Sequence, residues 1–265
     1  MTSNPAFFRR IAALLVAAIA TAAMSTSAQA DDNGKSRFSF FGSASGSRVT
    51  GSGKLANESR VVTGFQAIAL RTSMKLVLRQ GTREGIDLRA DDNILPLIET
   101  TVVDRGGVPT LEITTKKGAS FSTGSPVVAT IDLITLRALS ISGSGDVVGD
   151  ALKTPGLAVA ISGSGNVKLK QLAADEVSAK VSGSGDIEFS GRAAKLGISI
   201  SGSGDVKTRA LEADDVTISV AGSGDADVTA RKTLTVSIAG VGDVRYTGDP
   251  VVKSSIAGHG KVSKQ

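Results

Sequence analysis

Through the second half of the chain, apolar and polar residues alternate one for one, and the alternation breaks on glycine at regular intervals. Val159 and Ile161, Val177 and Val181, Ile198 and Ile200, and Ile218 and Val220 fall on one face of successive segments, with small and polar residues between them. Period-two alternation predicts half-buried β-strands whose apolar row faces a core. Each run ends on one seven-residue phrase. It reads Ile-Ser-Gly-Ser-Gly-Asp-Val at 141–147, Ile-Ser-Gly-Ser-Gly-Asn-Val at 161–167, Val-Ser-Gly-Ser-Gly-Asp-Ile at 181–187 and Ile-Ser-Gly-Ser-Gly-Asp-Val at 200–206. Looser copies stand at 220–226, 238–244 and 256–262. The first glycines, Gly143, Gly163, Gly183, Gly202, Gly222, Gly240 and Gly258, are spaced by 20, 20, 19, 20, 18 and 18 residues. A fixed period of this size with a β pattern inside it predicts a solenoid, because one coil buries its apolar face only against its neighbours. The fold class expected is all-β: a parallel β-solenoid of about seven coils over residues 127–262.

Within a coil, one strand leads into the glycine phrase, a second leaves it and a third precedes the next copy. The phrase itself is a tight corner. Its first glycines, and the second ones at Gly145, Gly165, Gly185, Gly204, Gly224, Gly242 and Gly260, are expected there for positive φ or for close backbone approach, which glycine allows without steric cost. The Ser and Asp side chains are expected to bond free corner amides. Midway through the coils Leu152, Leu172, Leu211 and Leu234 recur at one offset, and Leu-x-Ala-Asp there reads as a second corner whose leucine plugs the core.

Residues 60–126 alternate without a repeat and read as an irregular β cap region. Strands are expected around Ile68, Leu76 and Ile86 to Ala90, a turn at Asp91-Asp92-Asn93, and a short helical or irregular crossing at 94–98. A hairpin follows, from Thr100–Val103 to Thr110–Thr115 around Arg105-Gly106-Gly107. A cap is needed because an open coil end is an unpaired β-edge.

Composition changes the picture at the N-terminus. Arg9 and Arg10 precede an apolar, alanine-rich run from Ile11 to Met24, and Ala28-Gln29-Ala30 is a small-x-small cleavage signal. Residues 1–30 are therefore expected to be a signal peptide, with export across the inner membrane to the periplasm, the medium or the cell surface. No later stretch is long and apolar enough for a membrane-spanning helix. Residues 31–59, rich in Gly, Ser and Asn around Phe38-Ser-Phe-Phe, read as a flexible leader.

Removing residues 1–30 leaves 28 basic and 25 acidic residues, a net charge of +3, dispersed along the chain. With 3% aromatic residues there is little to stack bases, and nucleic acid is not an expected partner. The chain has no Cys and one His, which excludes a disulfide framework, a thiolate metal site and a polyhistidine site within one chain. The chemistry that stands out is a column of acids. Asp146, Asp186, Asp205, Asp225 and Asp243 share one corner position, with Asn166 and Lys261 in the same row. Two readings are open: a side-chain cap on each turn, favoured here, and a calcium ladder, for which one acid per coil is thin coordination. Catalytic and cofactor-binding residues are not expected. Paired carboxylates in a sugar-stacking setting, a nucleophile elbow and a phosphate loop are all missing from the sequence.

Arg60-Val61-Val62-Thr63-Gly64-Phe65-Gln66-Ala67-Ile68, the Gln80-Gly81 turn, Asp91-Asp92-Asn93-Ile94-Leu95 and Leu111-Glu112-Ile113, together with the Ser-Gly-Ser-Gly-Asp phrases, resemble the family called putative auto-transporter adhesin, head GIN domain, over roughly residues 49–262. The resemblance implies a bacterial exported protein with a right-handed parallel β-solenoid and an adhesive role. The chain departs from a true autotransporter in having no stretch for a membrane β-barrel after the repeats. The function expected is a non-enzymatic binder of a glycan or envelope polymer. The alternatives are a periplasmic scaffold for an envelope protein partner and, remotely, a polysaccharide-active enzyme.

Overall fold

The computed structural model describes residues 48–265. The expected signal peptide, and residues 31–47 of the expected leader, lie outside the described residues. Residues 48–59, expected as part of that leader, are instead built into the cap. Strand β1 (Arg48–Thr50) pairs in parallel with β8 (Ser120–Ser122), and β2 (Leu55–Arg60) runs antiparallel to β5 (Gly85–Asp91). The alternation Leu55-Ala56-Asn57-Glu58 is too polar to show a core face, so only its pairing reveals it as a strand.

The next segment holds the main surprise of the topology. Strands β3 (Ala67–Leu70) and β4 (Lys75–Gln80) are a coil of the solenoid in their own right. β3 lies between β7 (Pro109–Thr115) and β10 (Ala138–Ile141), parallel to both, with Leu70 level with Ile113 and Ile141. β4 lies likewise between β9 (Val128–Leu133) and β11 (Asp146–Gly149). The chain thus enters the stack one layer in. It builds the end layer afterwards and then steps over its first coil to start the repeats. A 3-10 turn, Leu95–Leu97, follows β5, and β6 (Ile98–Asp104) forms the expected hairpin with β7. β5 and β6 run antiparallel to β9 and β7, so the parallel stack is closed at this end by strands of the opposite sense. Arg60 ties the closure together. Its guanidinium donates to the carbonyls of Ile98 (2.7 Å) and Leu95 (3.0 Å) and to Glu58 (2.8 Å), and the Glu58 carboxyl is held below its ordinary value by that bond.

From there the repeats stack in parallel: β12 (Leu152–Ile161), β13 (Val167–Val181), β14 (Ile187–Ile200), β15 (Val206–Val220), β16 (Ala226–Ile238), β17 (Val244–Thr247), β18 (Val251–Ile256) and β19 (Val262–Lys264). Ile161, Val181, Ile200, Val220, Ile238 and Ile256 stand one above another, as the alternation predicts. The seven phrases enclose a solenoid of about six turns. The second and third strands of a coil are one continuous bent strand. In β13 the bend falls where Lys170 and Gln171 are exposed in succession. Gln171 takes φ 47°, the one non-glycine residue at positive φ among those described. Leu172 follows at once and is buried, level with Leu152 and then with Gly191 and Leu211.

Leu234 does not belong to that column, contrary to the sequence reading. The shorter coil drops residues between Thr208 and Glu212, and Leu234 lands level with Val216. The core is one continuous apolar column from Val62 to Val244, with Phe65 and Phe189 its largest members. Each fully buried Leu, Ile or Val there is worth about 1.5–3 kcal/mol of transfer free energy.

Candidate functional site

Two surfaces of the stack are regular enough to act on a partner: the glycine corners and a groove on the wall between them. At the corners, glycine is demanded by the coil beneath. A Cβ on Gly163 would lie 2.3 Å from the Gly143 carbonyl oxygen, and one on Gly165 2.2 Å from that of Gly145. Gly183, Gly185, Gly202, Gly204, Gly222, Gly224, Gly240, Gly242 and Gly260 face the preceding glycine in the same way, at 1.9–2.4 Å. Positive φ applies only to Gly143 (148°) and Gly258 (156°) of the fourteen. The first coil supports this reading. Its corner, Arg71 to Met74, has no glycine, and Thr72 occupies the level of Gly143. Thr72 instead meets Thr115 side chain to side chain, at 3.2 Å.

The acid column is a hydrogen-bond ladder. The Asp146 carboxylate accepts the amide N–H of Asn166 (3.2 Å) and its side-chain NH2 (2.9 Å), and Asn166 Oδ1 accepts the N–H of Asp186 (3.0 Å). Asp186, Asp205, Asp225 and Asp243 each accept the N–H of the equivalent residue one coil on, at 2.8–3.0 Å, the last being Lys261. The second oxygens are drawn sideways. Lys207 lies 3.3 Å from Asp186 and 3.5 Å from Asp205, and its pKa is raised, chiefly by the hydrogen bond to Asp186. Arg245 bridges Asp227 (2.6 Å) and Asp225 (3.2 Å) and is raised likewise. Calcium takes about six to eight oxygen ligands. A column with one oxygen per coil spent on an amide, and the other often facing a cation, does not fit it. Among the described residues no three His, Asp or Glu side chains converge on a metal-sized site. Ser144, Ser164, Ser184, Ser203 and Ser223 form an exposed hydroxyl row beside the ladder, continued by Val241 and His259.

The sequence reading missed the groove. Two adjoining hollows of about 600 and 460 Å³ share Ala174, Asp175 and Arg192 and run across successive coils on the wall after the bend. Alanines line the hollows, Ala173, Ala174, Ala193 and Ala194, with Ala174 level with Ala193 and Ala173 level with Arg192 and Glu212. Charges stand along the walls: Lys153, Arg192, Arg231 and Lys232 against Asp175, Glu212 and Asp214. Glu212 is shared by Arg192 (3.3 Å) and Arg231 (2.9 Å), and Lys232 pairs with Asp214 at 2.9 Å. That hydrogen bond holds the Asp214 carboxyl below its ordinary value and raises the Lys232 ammonium. The available signal was the run of Ala beside charge at mid-coil, which reads as a corner until the register places it on a wall.

The description "Putative auto-transporter adhesin, head GIN domain" matches residues 64–250. The fold is similar to a crystal structure of a putative adhesin from Bacteroides fragilis, at 27% identity, TM-score 0.77, and coverage of 82% of this chain and 100% of that one. It is also similar to a putative lipid binding protein and to a putative adhesin, both from Parabacteroides distasonis. Each is 24% identical and covers 83% of this chain and 100% of its own length, with TM-scores of 0.66 and 0.63. No curated protein matches the chain.

Proposed function

This chain belongs to the putative auto-transporter adhesin, head GIN domain family, and from that premise we propose that it is a non-enzymatic surface binder that holds an extended glycan or other envelope polymer along the groove. The observation that carries the reading is the direction of the groove. It crosses coil after coil, so one kind of contact is offered at each step of about 4.8 Å. Alanines leave the floor shallow, while Arg192, Arg231, Lys232 and Lys153 supply fixed donors for hydroxyl and carboxylate oxygens. Weak contacts repeated along a polymer add by avidity rather than by one strong pocket. An enzyme that cleaves glycans needs a carboxyl kept protonated near neutrality. The one groove carboxyl with a resolved shift, Asp214, is displaced the other way. Export to the cell surface or periplasm accompanies the reading, and it rests on the family and on residues 1–30. Among the described residues no helix is long and apolar enough to cross a membrane.

The test is binding of residues 31–265 to an array of bacterial and host glycans, with calcium and with chelator. Selective binding that survives chelator, and falls at least tenfold in R192E/R231E, supports the groove. Binding that instead falls in a Ser164, Ser184 and Ser203 to Lys triple variant moves the site to the corner row. A blank array refutes the glycan reading.

A further inference from the structure

The two ends of the solenoid are built differently. At one end the parallel layers are closed by antiparallel strands whose edges carry charge: Glu58 and Arg60 on β2, Glu99 and Asp104 on β6. Charged side chains on an edge strand oppose further pairing. At the other end the last coil is open: among the described residues β18 pairs only with β16, and β19 only with β17. Val252 and Ile256 continue the inward columns of Leu234 and Ile238. Those two are buried, whereas Val252 and Ile256 are 37% and 44% exposed.

The backbone of β18 has the matching parity. The Ala257 N–H donates to the Ile238 carbonyl at 2.7 Å. Backbone groups alternate sides along a strand, so Lys253 and Ser255 also bond toward β16. The N–H and C=O of Val252, Ser254 and Ile256 therefore point off the open edge. The residues whose side chains face the core are the same ones whose backbone groups await a partner.

We propose that this coil is an interface to a second copy of the same chain, joined about a two-fold axis through Ser254 with the two β18 strands antiparallel. In that register Val252 stands opposite Ile256 of the second copy and Ser254 opposite its own equivalent, so both apolar columns run on without a break. Lys253 falls opposite Ser255, which keeps the two lysines off direct juxtaposition. Like charges directly opposite one another would be destabilising. Because the other end is closed, the assembly stops at two, as an isologous contact does. One strand edge and a few side chains are less than the roughly 800 Å² per partner of a standard interface, so dissociation in the micromolar range is expected. Lys253 and Lys261 make this end basic in both copies, so added salt tightens the pair.

The experiment is sedimentation equilibrium of residues 31–265 across a concentration series up to about 0.5 mM, well above that range. The expected result is a monomer–dimer equilibrium. Ser254→Pro removes a single N–H that the chain's own ladder does not use, and Val252→Asp puts charge on the apolar column. Each should weaken dimerisation at least tenfold, and S254P should leave the melting temperature of the monomer unchanged. As the chain has no other cysteine, Ser254→Cys should give a covalent dimer with a short bismaleimide, and Ser164→Cys should not. A monomer at every concentration overturns the proposal, as does a dimer indifferent to S254P and V252D. Open-ended polymers would replace the two-fold contact with a head-to-tail one.

Discussion

Replacing Gly183 with alanine adds one carbon where the coil beneath leaves no space. That carbon would sit 2.1 Å from the Gly163 carbonyl oxygen, 2.8 Å from its nitrogen and 2.9 Å from its carbonyl carbon. All three are backbone atoms, so relief cannot come from a rotamer change. The coils must part locally by about 1 Å to restore ordinary contact, which is the strain of an overpacked core and costs about 1–3 kcal/mol. The same oxygen accepts the N–H of Ser184 (2.9 Å) and of Gly185 (3.2 Å). Losing both adds about 1–2 kcal/mol at roughly 1 kcal/mol each. The expected destabilisation is about 2–5 kcal/mol. Gly197 is the control: its added Cβ would meet nothing nearer than the Val177 carbonyl oxygen at 3.9 Å. Gly197→Ala should be neutral, or stabilising by up to about 1 kcal/mol through the unfolded chain. Urea unfolding followed by circular dichroism, with one probe for both variants, separates the two. If G183A lies within about 0.5 kcal/mol of the parent, the ordinary range for an uneventful surface change, the close-approach argument is wrong.

The ladder predicts that Asp205→Ala, which removes the acceptor for the Asp225 amide, loses about 1–2 kcal/mol. Asp205→Asn should lose far less, since Asn166 already fills the same role in its own coil; equal losses in urea unfolding would contradict the ladder. Asp91 predicts an acid response. Bonds from Thr123, then Ser125 and the Gly53 backbone hold its carboxyl below the ordinary 3.8. A lowered folded pKa gives stability that is full above the unfolded value and is lost as pH falls below about 3.8. Thr123→Val should flatten that acid limb of a stability-against-pH profile, and an unchanged profile would show that Asp91 does not report on folding.

Most of the solenoid was legible because its signals are strictly periodic. Alternation places Val177, Val181, Ile198 and Ile200 inward, and the glycine spacing fixes the coil length. What escaped depended on neighbours far away in sequence. Residues 67–80 form a coil without a glycine phrase, since Thr72 has no glycine corner beneath it, so no repeat marks them. Leu55 to Arg60 is a strand by virtue of β5 alone. Of the two roles expected for the corner glycines, positive φ holds at Gly143 and Gly258, and close approach to the preceding coil is what most of the others show; the stacked register tells them apart. The groove was hidden for the same reason. Arg192 and Glu212 are twenty residues apart, and become wall neighbours once β14 and β15 are aligned.

The buried placement of the first coil bears on how the protein can come together. Successive repeats meet partners eighteen to twenty residues away, a short loop to close. Ala67, by contrast, meets Ala138 seventy-one residues later, and its other neighbour is Thr110. Loop-closure entropy grows with that separation, and non-local pairing is slow. The stack therefore does not grow layer by layer in chain order at this end. A chain emerging in order gives residues 67–80 neighbours on one side, β7 and β9, once Leu133 is out, and on the other side, β10 and β11, only when the segment through Gly149 follows, so the first coil waits for layers on both faces that are made after it.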